Sequence, residues 1–147
     1  METKIRKFAN EMCSVWCQAD ALYSRWAAQN DINYFVLLVL WALHSNSEGM
    51  TQKKISQYYG WPKQTTNSVI RTLKQDELVV LMPETGDKRE KKVILTEKGQ
   101  TRAKELLTPL FQLENRVFGN MQEERLQEMM NTIKLFITLF EKELERD

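Results

Sequence analysis

LMPETGDKREKKVILTEKG, residues 81–99, decides how the chain is read. Two apolar strips, one rich in β-branched residues, flank a short segment dense in charge, with Pro83 and Gly86 punctuating the turn. That pattern predicts a β-hairpin with strands over 78–82 and 92–95 and a turn region over 84–90. Asp87, Lys88, Arg89, Lys91 and Lys92 then lie at or beside its tip. A hairpin tip can simply be solvated, so its meaning depends on its neighbours.

Immediately before it lie two short helical patterns. Thr51 suits an N-cap for a helix over 52–59, and Gly60 stands where a helix end favours a left-handed residue. Pro62 begins a second helix over 63–75, with Val69, Ile70 and Leu73 facing inward. Two short helices joined by a Gly-containing turn form a helix-turn-helix. Followed by a hairpin, they form a winged helix.

Long helices surround this unit. Ile5, Phe8, Met12, Trp16, Ala19, Tyr23 and Trp26 recur at steps of three and four, one stripe on a helix over 4–29. Residues 34–44 are apolar nearly all round and should form the central buried helix. Thr96 caps a helix that runs to about residue 119, with Pro109 expected to bend it. A last helix over 122–145 carries Leu126, Met130, Ile133, Ile137, Phe140 and Leu144, a heptad-like seam.

The chain has 147 residues, 42% hydrophobic and 28% charged, a composition that supports a packed core and argues against disorder. Overall charge is only +1, but residues 50–100 hold 10 basic against 6 acidic side chains. The flanking thirds hold 4 against 5 and 7 against 9, so the middle third is the one suited to a polyanion. No apolar run reaches the roughly 20 residues of a membrane span. No signal-peptide core follows Lys4, Arg6 and Lys7, and the reading is cytoplasmic.

Asp87-Lys88-Arg89 followed by Leu95-Thr96-Glu97-Lys98-Gly99 resembles the wing of the MarR family, bacterial transcription regulators of the multiple-antibiotic-resistance type. One departure is Glu77, which stands where that family usually has Gly ahead of the first wing strand. The resemblance covers nearly the whole chain. The expected fold class is mainly α (α+β): a winged helix-turn-helix with a two-stranded wing, flanked by long N- and C-terminal dimerisation helices. One domain would span 1–147, with 33–97 as the DNA-binding lobe and 1–32 with 98–147 as the dimerisation lobe.

The resemblance implies a homodimer that binds double-stranded DNA, a repressor of an inverted-repeat operator released by a small ligand or oxidant. Residue chemistry agrees, since Gln and Asn pair with adenine, Arg with guanine and the Thr methyl with thymine. The candidate DNA contacts are Lys63, Gln64, Thr65, Thr66, Asn67, Ser68 and Arg71 on the helix, with Asp87, Lys88, Arg89 and Lys91 in the wing. The resemblance gives Arg89 a minor-groove role and Asp87 a supporting one. Two other readings stay open. The wing could bind an acidic partner protein, or Cys13 and Cys17 could form a thiol redox sensor.

Four residues apart on a helix, Cys13 and Cys17 would hold their Cβ atoms about 5–6 Å apart, too far for an undistorted bridge. The plainer expectation is two buried or half-buried structural thiols. His44, the single histidine, reads as a polar helix end, and no metal or cofactor is expected. Trp16, Tyr23, Trp26, Tyr34, Phe35 and Trp41 make the first two helices aromatic. All but Phe35 are candidates to line a pocket for a small aromatic effector, although aromatics at helical spacing more often fill a core. With no nucleophile–base pair and no phosphate-binding glycine loop, the chain does not read as an enzyme.

Overall fold

A computed structural model describes residues 3–84 and 86–146; of the side chains at Glu84, Asp87 and Lys88 it describes nothing. The elements in chain order are α1 (Lys4–Gln29), α2 (Tyr34–Ser45), β1 (Met50–Thr51), α3 (Gln52–Tyr59), α4 (Lys63–Gln75), β2 (Val79–Glu84), β3 (Asp87–Leu95), α5 (Glu97–Gly119) and α6 (Glu123–Leu144). Helices dominate, with one small antiparallel sheet in the order β1-β3-β2, and this is a winged helix-turn-helix. Two compact units divide the chain, residues 1–107 and 108–147. Among the described residues no helix is long and apolar enough to cross a membrane.

Local chemistry sets the helix ends. The Asn33 carboxamide oxygen accepts from the Phe35 and Val36 N–H groups and starts α2. Thr51 accepts from Lys54 N–H at 3.1 Å and starts α3. Helix α3 stops at Gly60, whose φ of +65° is left-handed. There Trp61 N–H bonds Ser56 C=O and Gly60 N–H bonds Gln57 C=O, the paired bonds of a Schellman motif.

The same motif ends α4, but with Glu77 in the left-handed place at φ +59°. Leu78 N–H bonds Leu73 C=O at 2.9 Å and Glu77 N–H bonds Lys74 C=O at 3.0 Å. Leu73 and Leu78 are both buried, which supplies the apolar contact typical of this cap. The turn therefore keeps the geometry that glycine would give, with a non-glycine residue in it.

In the unit 1–107 the core is built by Leu37, Leu40, Leu43, Ile55, Ile70, Leu73 and Val93, all essentially inaccessible. Helix α2 is the buried central helix that its composition predicts. Val69, Ile70 and Leu73 turn inward from α4, as their spacing predicts.

The wing differs from expectation in length. β3 begins at Asp87, five residues before the expected start, and β2 continues through Pro83 to Glu84. Arg89 consequently lies on a strand. Pro83 is tolerated because β2 is an edge strand, where its missing N–H costs no ladder bond. The register shifts between Pro83, opposite Lys91, and Glu84, opposite Asp87. A third strand, β1, pairs Met50 with Val93 and Thr51 with Lys92, so the sheet has three strands where two are expected.

In this single chain no residue of α6 is buried. Met130, Ile137, Phe140 and Leu144 of its seam are exposed. On α1 only Ala27 is buried, and Ile5, Phe8, Val15, Trp16 and Leu22 are exposed.

The start of α5 is locked onto the end of α4. Thr96 Oγ1 accepts from Gly99 N–H at 2.9 Å and donates to Glu77 C=O at 2.7 Å, while Thr96 N–H bonds Leu78 C=O at 3.0 Å. Gly99 lies so close to Leu78 that an added Cβ would stand 1.9 Å from that carbonyl oxygen. Lys98 also reaches Glu77 at 3.5 Å, but with side chains 61% and 83% exposed. Such a pair contributes only about 0–1 kcal/mol. Gly99→Ala should therefore destabilise the fold by about 3 kcal/mol, the high end for overpacking, because backbone cannot yield as a side chain can. Glu77→Gly should leave stability unchanged or slightly raised, whereas Glu77→Val, β-branched at positive φ, should lower it by about 1–3 kcal/mol. Urea denaturation at fixed protein concentration checks all three.

Candidate nucleic-acid interface

Helix α4 divides cleanly into two faces. Thr66, Val69, Ile70 and Leu73 are buried, whereas Lys63, Gln64, Asn67, Ser68 and Arg71 are exposed and Thr65 is half-buried. Thr66 is the correction to the expected contact set. It is wholly inaccessible, and its hydroxyl lies 2.7 Å from the Ser56 hydroxyl of α3. It joins the two helices of the helix-turn-helix and has no surface to offer a base.

The exposed face carries two shallow concavities. Asn67 and Arg71 line one with Gln52, Lys74, Gln75 and Leu81, so it runs from α3 across α4 to the first wing strand. Gln64, Thr65 and Ser68 line the other, with Thr72 and the N-terminus of α2. Lys74 and Gln75 extend the Asn67–Arg71 row by one helical turn, a spacing that could have pointed to them. Gln52 had no such signal, because it reaches the site only through tertiary packing.

Exposed positive charge lies on α3, α4 and β3. Lys53 and Lys54 on α3 and Lys91 on β3 are exposed, as are Lys63, Arg71 and Lys74. Among the described residues Lys63, Arg71, Lys74 and Lys91 form no ion pair. Arg89 is exposed on β3, while Lys92 is half-buried. Asp87 and Lys88 lie on the same strand, but their expected roles fall on side chains outside those described.

The other expected residues are less concentrated. Of the five aromatics expected at an effector pocket, Tyr34 alone lines the cavity formed by α1, α2 and the turn after α3. Trp16 is exposed, and Tyr23 packs on Trp41 with ring centroids 6.0 Å apart. Trp26 is half-buried outside that cavity. The cavity is instead walled by Phe35, Tyr59 and Trp61, with Asp20 among its lining residues. Asp20 and Tyr59 were invisible as pocket residues because their neighbours come from distant segments.

Two phenols there have committed protons. Tyr34 donates to Asp20 Oδ1 at 2.5 Å and Tyr59 donates to Leu38 C=O at 2.7 Å. Burial, and then the bond to Asp20, hold the Tyr34 phenol above its ordinary pKa, and burial does the same for Tyr59. Both remain protonated donors.

Cys13 and Cys17 are free and exposed on α1, not the buried or half-buried thiols expected. Their positions, four apart on a helix of sparse burial, leave them nothing to pack into within the single chain. His44 is exposed in the last turn of α2. Among the described residues no group of three His, Cys, Asp or Glu is arranged to hold a metal.

No protein-family model matches the sequence, and no curated protein does. Solved structures do. A MarR family regulator from Neisseria meningitidis is 24% identical, with 98% of this chain and 99% of that one covered and a TM-score of 0.79. A Staphylococcus aureus MepR–DNA complex is 17% identical, with coverage of 90% and 97% and a TM-score of 0.73. Staphylococcus aureus MarR in complex with salicylate and kanamycin is 21% identical, with coverage of 93% and 92% and a TM-score of 0.72. The winged helix, its flanking helices and nearly the full length of the chain are thus shared, and the fold is that of the MarR family transcriptional regulators.

Proposed function

We propose that this protein is a DNA-binding transcriptional regulator, a dimeric repressor of an inverted-repeat operator that a small ligand releases. One observation carries the reading. The polar face of α4, with Gln64, Asn67, Ser68 and Arg71 exposed, stands on a buried apolar face, and Lys63 and Lys74 are exposed on the same helix. Small amides and an arginine on a rigid helix suit base edges in a major groove, and lysines suit phosphates. A partner protein would gain little from such a surface, which lacks the apolar anchors of an interface centre. The fold is also one that MepR presents in a complex with DNA.

On this reading residues 33–97 form the DNA-binding lobe, and 1–32 with 98–147 form the dimerisation lobe. The dimer is supported by the apolar residues of α1 and α6 that a single chain leaves in water. A surface that apolar calls for a partner, and a second copy supplies the same faces again. Light scattering at micromolar concentration should give twice the chain mass. Footprinting should give two half-sites about 10–10.5 bp apart, or a multiple of that spacing.

Helix α4 offers a test that separates contact from scaffold. Arg71→Ala should weaken operator binding by about 1–3 kcal/mol with little loss of stability. Thr66→Val should do the reverse, lowering stability by about 1–3 kcal/mol by leaving the Ser56 hydroxyl without its partner. Binding isotherms paired with urea titrations read both. Operator binding unaltered in Arg71→Ala would overturn the assignment of this face.

The wing gives a second contrast. Arg89→Ala should cost about 1–3 kcal/mol of operator affinity, as expected for an arginine held in a narrow, negative minor groove. Lys91→Ala should instead lower the salt slope by about one unit, as expected when one phosphate contact is lost. Isotherms at several salt concentrations distinguish the two.

A further inference from the structure

The cavity between α1 and the helix-turn-helix has a chemistry that the DNA-binding reading does not use. Its volume is about 610 Å3, within the range of small-molecule sites. Among the described residues that line it, Asp20 is the one charged residue, and there is no lysine, arginine or histidine. Phe35, Tyr59 and Trp61 line it as well. Tyr59 and Trp61 are stacked with centroids 4.5 Å apart, and Phe35 meets Trp61 edge-on at 5.1 Å.

The polar groups favour one sign of ligand charge. The phenolic protons of Tyr34 and Tyr59 are already given to Asp20 and to Leu38 C=O. An anion entering here would meet a carboxylate and find no cationic partner. A cation would meet that carboxylate, which keeps acceptor capacity beyond its one bond from Tyr34. It would also meet the aromatic side chains of Phe35, Tyr59 and Trp61, and aromatic rings attract positive charge over their faces.

We infer that this cavity binds an aromatic organic cation, with its ammonium group at Asp20 and its ring system against Phe35, Tyr59 and Trp61. Asp20 belongs to α1, whereas Trp61 precedes Pro62, the N-cap of α4. A ligand between them bears on the start of the helix that carries the candidate DNA face. That consequence rests on the regulator reading; the binding site itself does not.

The test uses the full chain without DNA. Calorimetry compares three probes with one ring system: 1-naphthylmethyl-trimethylammonium, its neutral carbon isostere 1-neopentylnaphthalene, and 1-naphthylacetate. The cation should bind tightest and the anion weakest. Asp20→Asn keeps an acceptor for Tyr34 and should weaken the cation about tenfold while leaving the neutral probe unchanged. Trp61→Ala should weaken both. Circular dichroism checks that each variant is folded. The inference is overturned if the cation shows no saturable binding, if 1-naphthylacetate binds as tightly as the cation, or if Asp20→Asn leaves the cation's affinity unchanged. Since no operator is present, these outcomes are independent of whether α4 binds DNA.

Discussion

The Leu78 carbonyl is the point on which the winged helix depends. It accepts the Thr96 N–H at 3.0 Å and lies against Gly99, with no room for a side chain. One residue earlier, the Glu77 carbonyl takes the Thr96 hydroxyl. The last turn of α4, the first residue of the wing's approach and the first turn of α5 therefore share one corner. Because both ends of the hairpin are anchored there, the wing leaves the body in a direction fixed relative to α4. On the DNA-binding reading, α4 and the wing engage one duplex together and need that fixed relation more than either needs any single contact.

The same corner explains how Glu77 can replace glycine. A non-glycine residue in the left-handed region costs about 1–2 kcal/mol. Glycine would avoid that cost but lose roughly 0.5–1 kcal/mol more conformational freedom on folding. The difference is small, and the two Schellman bonds, the buried Leu73–Leu78 pair and Thr96 all hold the turn regardless of its side chain. What tolerates no substitute is Gly99, because its constraint is a collision with backbone rather than a torsional preference.

Much of this was legible in the sequence because it is local. The caps Thr51 and Thr96, the stop at Gly60, and the inward triplet Val69, Ile70 and Leu73 act within one turn of their own position, and those helices fall where they were expected. The wing's extent was less legible. Charge suggested a loop where β3 in fact continues, since edge pairing with β2 overrides the weak strand preference of Lys and Glu. β1 has two residues and exists only through its pairing with Val93 and Lys92. Thr66 misled because a small polar residue on a polar helix looks like a contact, and only the Ser56 hydroxyl shows why it turns inward. The aromatic cavity was hidden for the same reason: Asp20, Phe35 and Trp61 lie on separate segments, and no spacing rule links them.

The distribution of burial adds a constraint on how the fold can be stable. Ile55, Ile70 and Leu73 give the helix-turn-helix a closed apolar interior, whereas α6 has no buried residue within one chain and only Leu126, Ile133 and Phe136 of its apolar residues are half-buried. A hydrophobic seam of that kind returns its free energy only when another surface covers it. On the dimer reading, stability depends on protomer concentration, because association supplies burial that folding alone does not. Helix α1 would then belong to both processes. Its Asp20 side chain receives a hydrogen bond from Tyr34 at the start of α2, while its apolar stripe awaits a partner. On that reading Asp20 and the apolar stripe share one helix, so a ligand beside Asp20 would touch an element of the dimer. The cavity beside Asp20 is therefore a place where occupancy could be felt by the dimer and by α4 alike, without any contact between ligand and DNA.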